Sequence, residues 1–295
     1  MELHNQQLFI KIVFKMKADL PSLPSTITNL VKMAAAPDQY AASDLAQVIE
    51  KDPAMTSKIL RLANSAYYGF SSQIKTISHS IVCLGFDKVK SMAYTVDSNK
   101  ILQGELKSYG MKEGALFKHS VATAITSRLI ASNVEEVDPE EIYIMGLLHD
   151  IGKFMIDQYA SKEFEAVLES YKSGSRPFYE AEKMVLGFDH GEIGDEVGKK
   201  WNFPEEICEV IKYHHRPMDA NVNKMNVHIV CLANGIAKTL DVGDFKSTIE
   251  NPVIEMKEVF NEDIMDFIGI NRNEILDIRK QASDEYQQVD RDLLQ

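Results

Sequence analysis

The chain has 295 residues, 45% of them hydrophobic, so it can bury a full core and is not expected to be disordered. Its net charge of -12 repels nucleic acid and anionic lipid, which argues against partners of either kind. No apolar run approaches the roughly 20 residues that cross a bilayer, and the N-terminus lacks the basic start of a signal peptide. We therefore expect a cytoplasmic protein without membrane attachment.

Apolar residues recur at steps of three and four along most of the chain, which predicts an all-α fold. In the first part, Asp52 is a predicted N-cap, and Pro53 occupies the first turn of the following helix, where its missing N–H costs nothing. Gly85 is a predicted helix end. The polar stretch from Asn99 to Gly114 predicts a boundary, so residues 1–112 are expected to form an N-terminal helical bundle.

The helical pattern resumes at Phe117, and residues 113–240 are expected to form a second bundle that packs on the first. Residues 241–295 form a predicted C-terminal extension, acidic and loop-like as far as the predicted N-cap Asn271. Beyond it, one apolar stripe on a final helix is formed by Ile275, Ile278, Ala282, Tyr286, Val289 and Leu293. We expect the stripe to pack on its own bundle, with an oligomer contact or partner docking as the alternative.

Five of the eight histidines lie at or near predicted helix ends between residues 117 and 215. They are His119, His149, His190, His214 and His215. Each one alone is more often a core or surface residue than a ligand. However, the doublet of His149 and Asp150 ends an apolar helix, so an imidazole and a carboxylate can face one cavity. Several buried imidazoles are costly unless a metal or a hydrogen-bond network satisfies them. Together with the doublet, the set favours a divalent ion of the Fe, Mn or Zn type.

The run Gly146–Lys153 resembles the defining doublet of the HD superfamily of metal-dependent phosphohydrolases, with His119 in the place of the first ligand. His190 and the pair His214 and His215 resemble the further ligands of its dinuclear branch, which includes the cyclic di-GMP phosphodiesterases. This resemblance implies that His119, His149, Asp150, His190, His214 and His215 bind metal. It also implies catalytic roles for Asp150 and for Lys153, which would lie near a substrate phosphate.

Two features depart from the pattern of that superfamily. Asn234 stands where the superfamily has its last aspartate ligand, and a neutral carbonyl oxygen binds a hard divalent ion more weakly than a carboxylate. Arg216, Pro217 and Met218 follow His215, without the Gly-Tyr-Pro signature of the cyclic di-GMP enzymes.

The first part of the chain is similar to the signature of HDOD proteins, the HD-related output domains of bacterial signalling. The similar segments are Leu20–Pro24, Asp52–Met55, Leu60–Gly69 and Ile74–Gly85. The resemblance covers about residues 10–240 and implies a signal-transduction output module with a protein partner. Its HD half is expected to hold one or two divalent metal ions, or a nucleotide-like or other phosphoester ligand. Two alternatives remain: an active phosphohydrolase or phosphodiesterase acting on a nucleotide or another phosphoester, and a relic metal centre that only staples the bundle.

Overall fold

The computed structural model describes residues 2–20, 23–35, 39–65, 68–70, 72–135, 137–173, 176–240, 242 and 261–291. These residues form α-helices joined by turns and contain no strand, so the predicted all-α class is confirmed. None of the described helices combines the length and the apolar character needed to cross a membrane.

The first part of the chain contains α1 (Glu2–Asp19), α2 (Ser25–Ala35), α3 (Ala42–Glu50), α4 (Pro53–Ala63), α5 (Ile77–Leu84) and α6 (Phe86–Leu102). The second part contains α7 (Ala115–Ala131), α8 (Pro139–Leu148), α9 (Gly152–Tyr159), α10 (Phe164–Ser173), α11 (Phe178–Leu186), α12 (His190–Lys200), α13 (Glu205–Tyr213) and α14 (Lys224–Lys238). A short 3-10 helix, Pro217–Asp219, lies between α13 and α14, and the C-terminal part contains α15 (Glu262–Ile268) and α16 (Arg272–Val289).

Helix ends follow the signals in the sequence. The Asp52 carboxylate accepts the backbone N–H groups of Ala54 and Met55, which satisfies two donors at the start of α4. Gly85 ends α5 with a φ of 90°, a conformation that strains residues with a Cβ. Asn271 caps α16 as expected.

The helices share one continuous hydrophobic core. Helix α6 packs on α2, α4 and α5 of the first part and also on α7 and α8 of the second, while α1 packs on α11 and α12. The first part is therefore packed on the second through both α1 and α6. The boundaries proposed at residues 112 and 240 stay predictions.

The C-terminal extension differs in one respect from the sequence-based expectation. The acidic composition predicts a loop-like segment before Asn271, but Glu262–Ile268 is a helix that packs on α14, with Ile264 and Met265 buried. Its N-cap is Asn261, whose side chain accepts the Ile264 N–H. Asparagine favours the N-cap position, so Asn261 was a sequence signal for this helix within an otherwise acidic, loop-like segment. The rest of the segment, 243–260, lies outside the described residues.

The apolar stripe of α16 is covered by its own chain. Ile275, Ile278, Ala282 and Tyr286 are buried, and the helix packs on α7. A buried ion pair between Arg128 of α7 and Glu285 bridges the two helices. Leu293 lies outside the described residues. An oligomer contact through this helix stays a prediction.

One carboxylate fastens the loop that leads into α14. Glu209 of α13 accepts backbone N–H groups from Asn221 at 2.7 Å, Val222 at 2.9 Å and Asn223 at 2.7 Å. Burial by itself would raise the pKa of Glu209, but these three donors outweigh it and lower the pKa. The ionised carboxylate therefore stabilises the folded loop.

Replacing Glu209 with glutamine should lower the free energy of unfolding by about 2 kcal/mol near neutral pH, because a charged hydrogen-bond acceptor is lost. The pKa of Glu209 in the folded protein lies below its ordinary value of 4.5, so this stabilisation is present above that pH and is lost as the pH falls through the folded value. Urea unfolding of wild type and Glu209→Gln at about pH 7 and about pH 3 measures the difference. An equal difference at both pH values would contradict the assignment.

Candidate metal centre

The seven predicted site residues are brought together from helices that lie far apart in sequence. They are His119 in α7, His149 and Asp150 at the end of α8, Lys153 in α9, His190 as the first residue of α12, and His214 and His215 at the end of α13. All are at most 5% exposed except His215, which is partly exposed. The seven side chains therefore lie close together, and six of them are buried.

Local capping places His190 in this cluster. Asp189 is the N-cap of α12, where its carboxylate accepts the Glu192 N–H at 2.9 Å, and Glu192 accepts the Asp189 N–H at 3.1 Å. This capping box fixes His190 as the first helical residue. Arg216 lies 3.1 Å from the Asp189 carboxylate and so ties the end of α13 to the start of α12.

The two carboxylate oxygens of Asp150 face two different groups of residues. Oδ2 lies 2.7 Å from Lys153 Nζ, 3.3 Å from His149 Nε2 and 3.7 Å from His119 Nε2. Oδ1 lies 3.2 Å from His190 Nε2 and 3.6 Å from His214 Nε2. Asp150 therefore stands between two sets of imidazoles.

Among the residues that the structure describes, two groups of side chains have potential ligand atoms within 4.8 Å of one another. The first cluster is His119, His149 and Asp150, and the second cluster is Asp150, His190, His214 and His215. Histidine nitrogen with carboxylate oxygen is a donor set for Zn, Fe or Mn. The buried Nε2 of His149 makes no hydrogen bond with any described group, as expected for an atom directed at a ligand. These residues fit divalent metal ions.

Outer hydrogen bonds orient two imidazoles of the second cluster. His190 donates its Nδ1–H to Glu182 Oε2 at 2.6 Å, and His214 donates its Nδ1–H to the Ile211 carbonyl at 2.8 Å. Because Nδ1 is held by these acceptors, Nε2 is the ring nitrogen that can bind a metal after it has released any proton that it carries. His190 Nε2 lies 3.3 Å from His214 Nε2 and 3.2 Å from His215 Nε2, so three ring nitrogens converge.

The first cluster is arranged differently. His149 also donates its Nδ1–H outward, to the Gly146 carbonyl at 2.7 Å. His119, however, donates its Nε2–H to Asn234 Oδ1 at 3.0 Å, so this nitrogen is engaged with the residue that replaces the expected aspartate. Asn234 therefore contacts the site. Because His119 Nε2 is engaged in this hydrogen bond, the first cluster has fewer ring nitrogens available to bind a metal than the second cluster.

The charges of the cluster reflect its burial. Burial lowers the pKa of His214 to about 3 and that of His119 well below its usual range, so both imidazoles are neutral at pH 7. Burial also opposes the charged form of His190, but Glu182 and Asp150 outweigh it and raise its pKa to about 9. Burial by itself would raise the pKa of Asp150, but His149 and Lys153 hold it well below its usual range.

Sequence reasoning missed Glu182 and Tyr109. Glu182 is completely buried, and it binds His190 on one side and the Tyr109 hydroxyl on the other. One signal was available for Glu182: it shares a helix face with Leu186, four residues later, so it falls on the apolar side of α11. Tyr109 lies in a turn and carries no comparable signal in the sequence.

A glycine allows α9 and α12 to approach each other at the site. A Cβ atom on Gly152 would lie 1.9 Å from the His190 carbonyl oxygen and 2.6 Å from the Gly194 nitrogen. Both neighbours are backbone atoms, which cannot move aside independently. Only glycine therefore permits the close approach that places His190 beside Asp150.

Comparisons with known proteins agree with this architecture. The sequence profile of the HDOD domain matches residues 20–217. An uncharacterized protein of Treponema pallidum is 25% identical over 225 residues, which cover 76% of this chain and 43% of that protein. The chain spans less than half the length of the curated relatives it matches.

Two solved structures share the fold over almost the whole chain. An HDOD domain protein of Geobacter sulfurreducens has a TM-score of 0.68 at 23% identity, covering 97% of this chain and 98% of that one. A Shewanella amazonensis protein named as a candidate phosphohydrolase has a TM-score of 0.69 at 20% identity, covering 96% and 98%. At these identities the likeness concerns the fold.

Replacing Gly152 with alanine should destabilise the protein by about 3 kcal/mol, because the added methyl group must push α9 away from α12. Chemical denaturation measures the loss. The matched control is Gly104→Ala, at an exposed glycine where a Cβ meets nothing within 4 Å, and it should change stability by no more than about 0.5 kcal/mol. Equal effects of the two substitutions would refute the role of the close approach.

Proposed function

This chain belongs to the HDOD family, and we propose that it is a bacterial signal-transduction output module that retains a divalent-metal centre of the HD type. The convergence of imidazole nitrogens on Asp150, with their other ring nitrogens held by outer acceptors, carries this proposal. Metal-binding histidines characteristically donate their second N–H in this way. The ligand set is His119, His149, Asp150, His190, His214 and His215.

Burial of the ligands favours a module over an open enzyme. His119, His149, Asp150, His190 and His214 are at most 1% exposed. A catalytic metal site keeps a position open for water or substrate, whereas a structural site is closed by protein ligands. Tyr179 also stacks on the ring of His215, the partly exposed ligand, with 4.7 Å between ring centroids. Such a centre suits a role in setting the conformation of the bundle.

The two clusters are proposed to differ in affinity. The second cluster offers three imidazoles and one carboxylate oxygen. The first cluster lacks a second carboxylate because Asn234 replaces it, and the Lys153 ammonium already lies 2.7 Å from its Asp150 oxygen. A positive charge at that distance opposes a second cation. We therefore place the tight ion at the second cluster and a weaker one at the first.

Signal output in this proposal takes place in the cytoplasm and requires a protein partner. The first part of the chain is the proposed docking region, because its helix α6 contacts both α7 and α8, the helices that carry the first cluster. A change at the centre can thus reach a partner through packed helices. The net charge of -12 disfavours nucleic acid as that partner.

A metal-dependent phosphohydrolase acting on a nucleotide or other phosphoester is the second candidate. The buried Lys153 ammonium beside Asp150 favours it, because such a cation could neutralise charge that develops on a phosphate. Divalent ions, when bound, supply an acidified water and charge stabilisation for this chemistry. If the protein is a phosphohydrolase, Asp150 and Lys153 are the catalytic residues.

Protein purified without chelator should contain a divalent metal, one ion held tightly and a second held weakly. His214→Ala should weaken the tight site by more than about 100-fold, beyond the loss expected for an outer-shell residue, whereas His119→Ala should affect only the weak site. Elemental analysis and titration calorimetry measure both. His79→Ala, at an exposed histidine outside both clusters, is the matched control.

A panel of phosphoesters assayed with Mn or Fe separates the two candidates. Bound metal without turnover supports the output module. Turnover that is abolished by His149→Ala or Asp150→Ala supports the hydrolase. Wild-type protein that binds no divalent ion overturns both.

Asn234→Asp should raise metal affinity at the first cluster by about 10-fold, because a carboxylate replaces an amide beside His119. Affinity at the second cluster should not change. Asn133→Asp adds the same charge at an exposed position and is the control for general electrostatics. Unchanged affinity in Asn234→Asp would show that this side chain does not reach the ion.

A further inference from the structure

A chain of hydrogen bonds leads from the second cluster to the segment between the two parts of the protein. Tyr109 lies in this segment, between α6 and α7, and donates its hydroxyl proton to Glu182 Oε1 at 2.6 Å. Glu182 Oε2 accepts from both Nδ1 and the backbone N–H of His190, at 2.6 and 3.0 Å. Tyr109 is therefore two hydrogen bonds away from a proposed metal ligand.

Glu182 depends on these donors. Its side chain is 0% exposed, and both of its oxygens are engaged by Tyr109 or His190. A buried carboxylate needs such donors, because it has lost its hydration. Removing the Tyr109 hydroxyl would leave Oε1 unsatisfied and favour rearrangement of the carboxylate that orients His190.

The turn that carries Tyr109 is fixed at several points. Leu106 and Met111 exchange backbone hydrogen bonds of 3.0 Å across it, and Ser108 donates its N–H to Asp157 of α9 at 2.6 Å. The ring of Tyr109 packs on Phe164, with centroids 4.5 Å apart. These contacts hold the turn in place and direct the Tyr109 hydroxyl at Glu182.

We propose that Tyr109 is a positioning residue of the metal centre, which acts through Glu182 to hold His190 in its metal-binding orientation and couples the segment between the two parts to the second cluster. This inference rests on the proposed function, since it requires that the second cluster binds a metal. Tyr109 is not itself a metal ligand. A change in the conformation of the first part that moves Tyr109 would alter the metal affinity of the second cluster.

Tyr109→Phe tests the role of the hydroxyl alone, because phenylalanine keeps the ring that packs on Phe164. Co²⁺ is the probe, since its visible absorption reports the geometry of its ligands. We expect about a 10-fold loss of Co²⁺ affinity at the second cluster, a changed absorption spectrum and unchanged affinity at the first cluster. Tyr94→Phe is the matched control, at a buried tyrosine whose hydroxyl bonds no described residue.

A double-mutant cycle identifies the route. Glu182→Gln should weaken the second cluster by up to about 100-fold, and adding Tyr109→Phe to it should cause little further loss, because the two residues act in series. Additive losses would overturn the route through Glu182. Circular dichroism and thermal unfolding of each metal-free variant establish that it is folded.

The outcomes separate this inference from the proposed function. If wild type binds Co²⁺ and Tyr109→Phe binds it equally well with the same spectrum, the inference is overturned and the metal centre stands. If wild type binds no Co²⁺ at either cluster, both are overturned. A loss in Tyr109→Phe that Tyr94→Phe reproduces would also overturn the inference, because it would reflect general loosening of the core.

Discussion

The buried carboxylate of Asp150 is the interaction on which the site depends. It has no exposure to solvent, and its charge must be balanced by groups that the fold brings to it. Lys153 lies on one side, and His190, whose pKa is raised to about 9, lies on the other. Glu182 adds a second buried negative charge behind His190. The site is thus a balanced set of charges that divalent ions can join by displacing protons and rearranging ion pairs.

Helix packing makes this arrangement possible, because the groups that surround Asp150 come from separate helices. The close approach at Gly152 and the capping box at Asp189 fix the start of α12, and Arg216 holds the end of α13 beside it. These contacts constrain the backbone rather than the ligand atoms themselves. Ligand geometry is therefore a consequence of how α9, α12 and α13 meet, and small changes in that packing alter the distances between imidazoles.

The proposed regulatory role follows from the same packing. A centre whose ligands, except His215, are buried can act on the rest of the molecule through the helices that hold them. Among the described residues, α7 and α8 contact α6 of the first part, and α11 and α12 contact α1. The chain of hydrogen bonds through Glu182 also reaches Tyr109 in the connecting segment. A proposed asymmetry between the clusters, set by Asn234 and Lys153, would let one ion stabilise the bundle while the other responds to conditions.

The sequence by itself determined the all-α class, caps such as Asp52 and Asn271, and the adjacency of His149 and Asp150, because periodicity, capping and neighbouring positions in the chain are local properties. It also marked Asn234 as a departure. Only the tertiary structure decided that Asn234 meets His119 and that Glu182 and Tyr109 support His190. Contacts between helices that are distant in sequence depend on how those helices pack. The spacing of residues along the chain does not determine which helices meet.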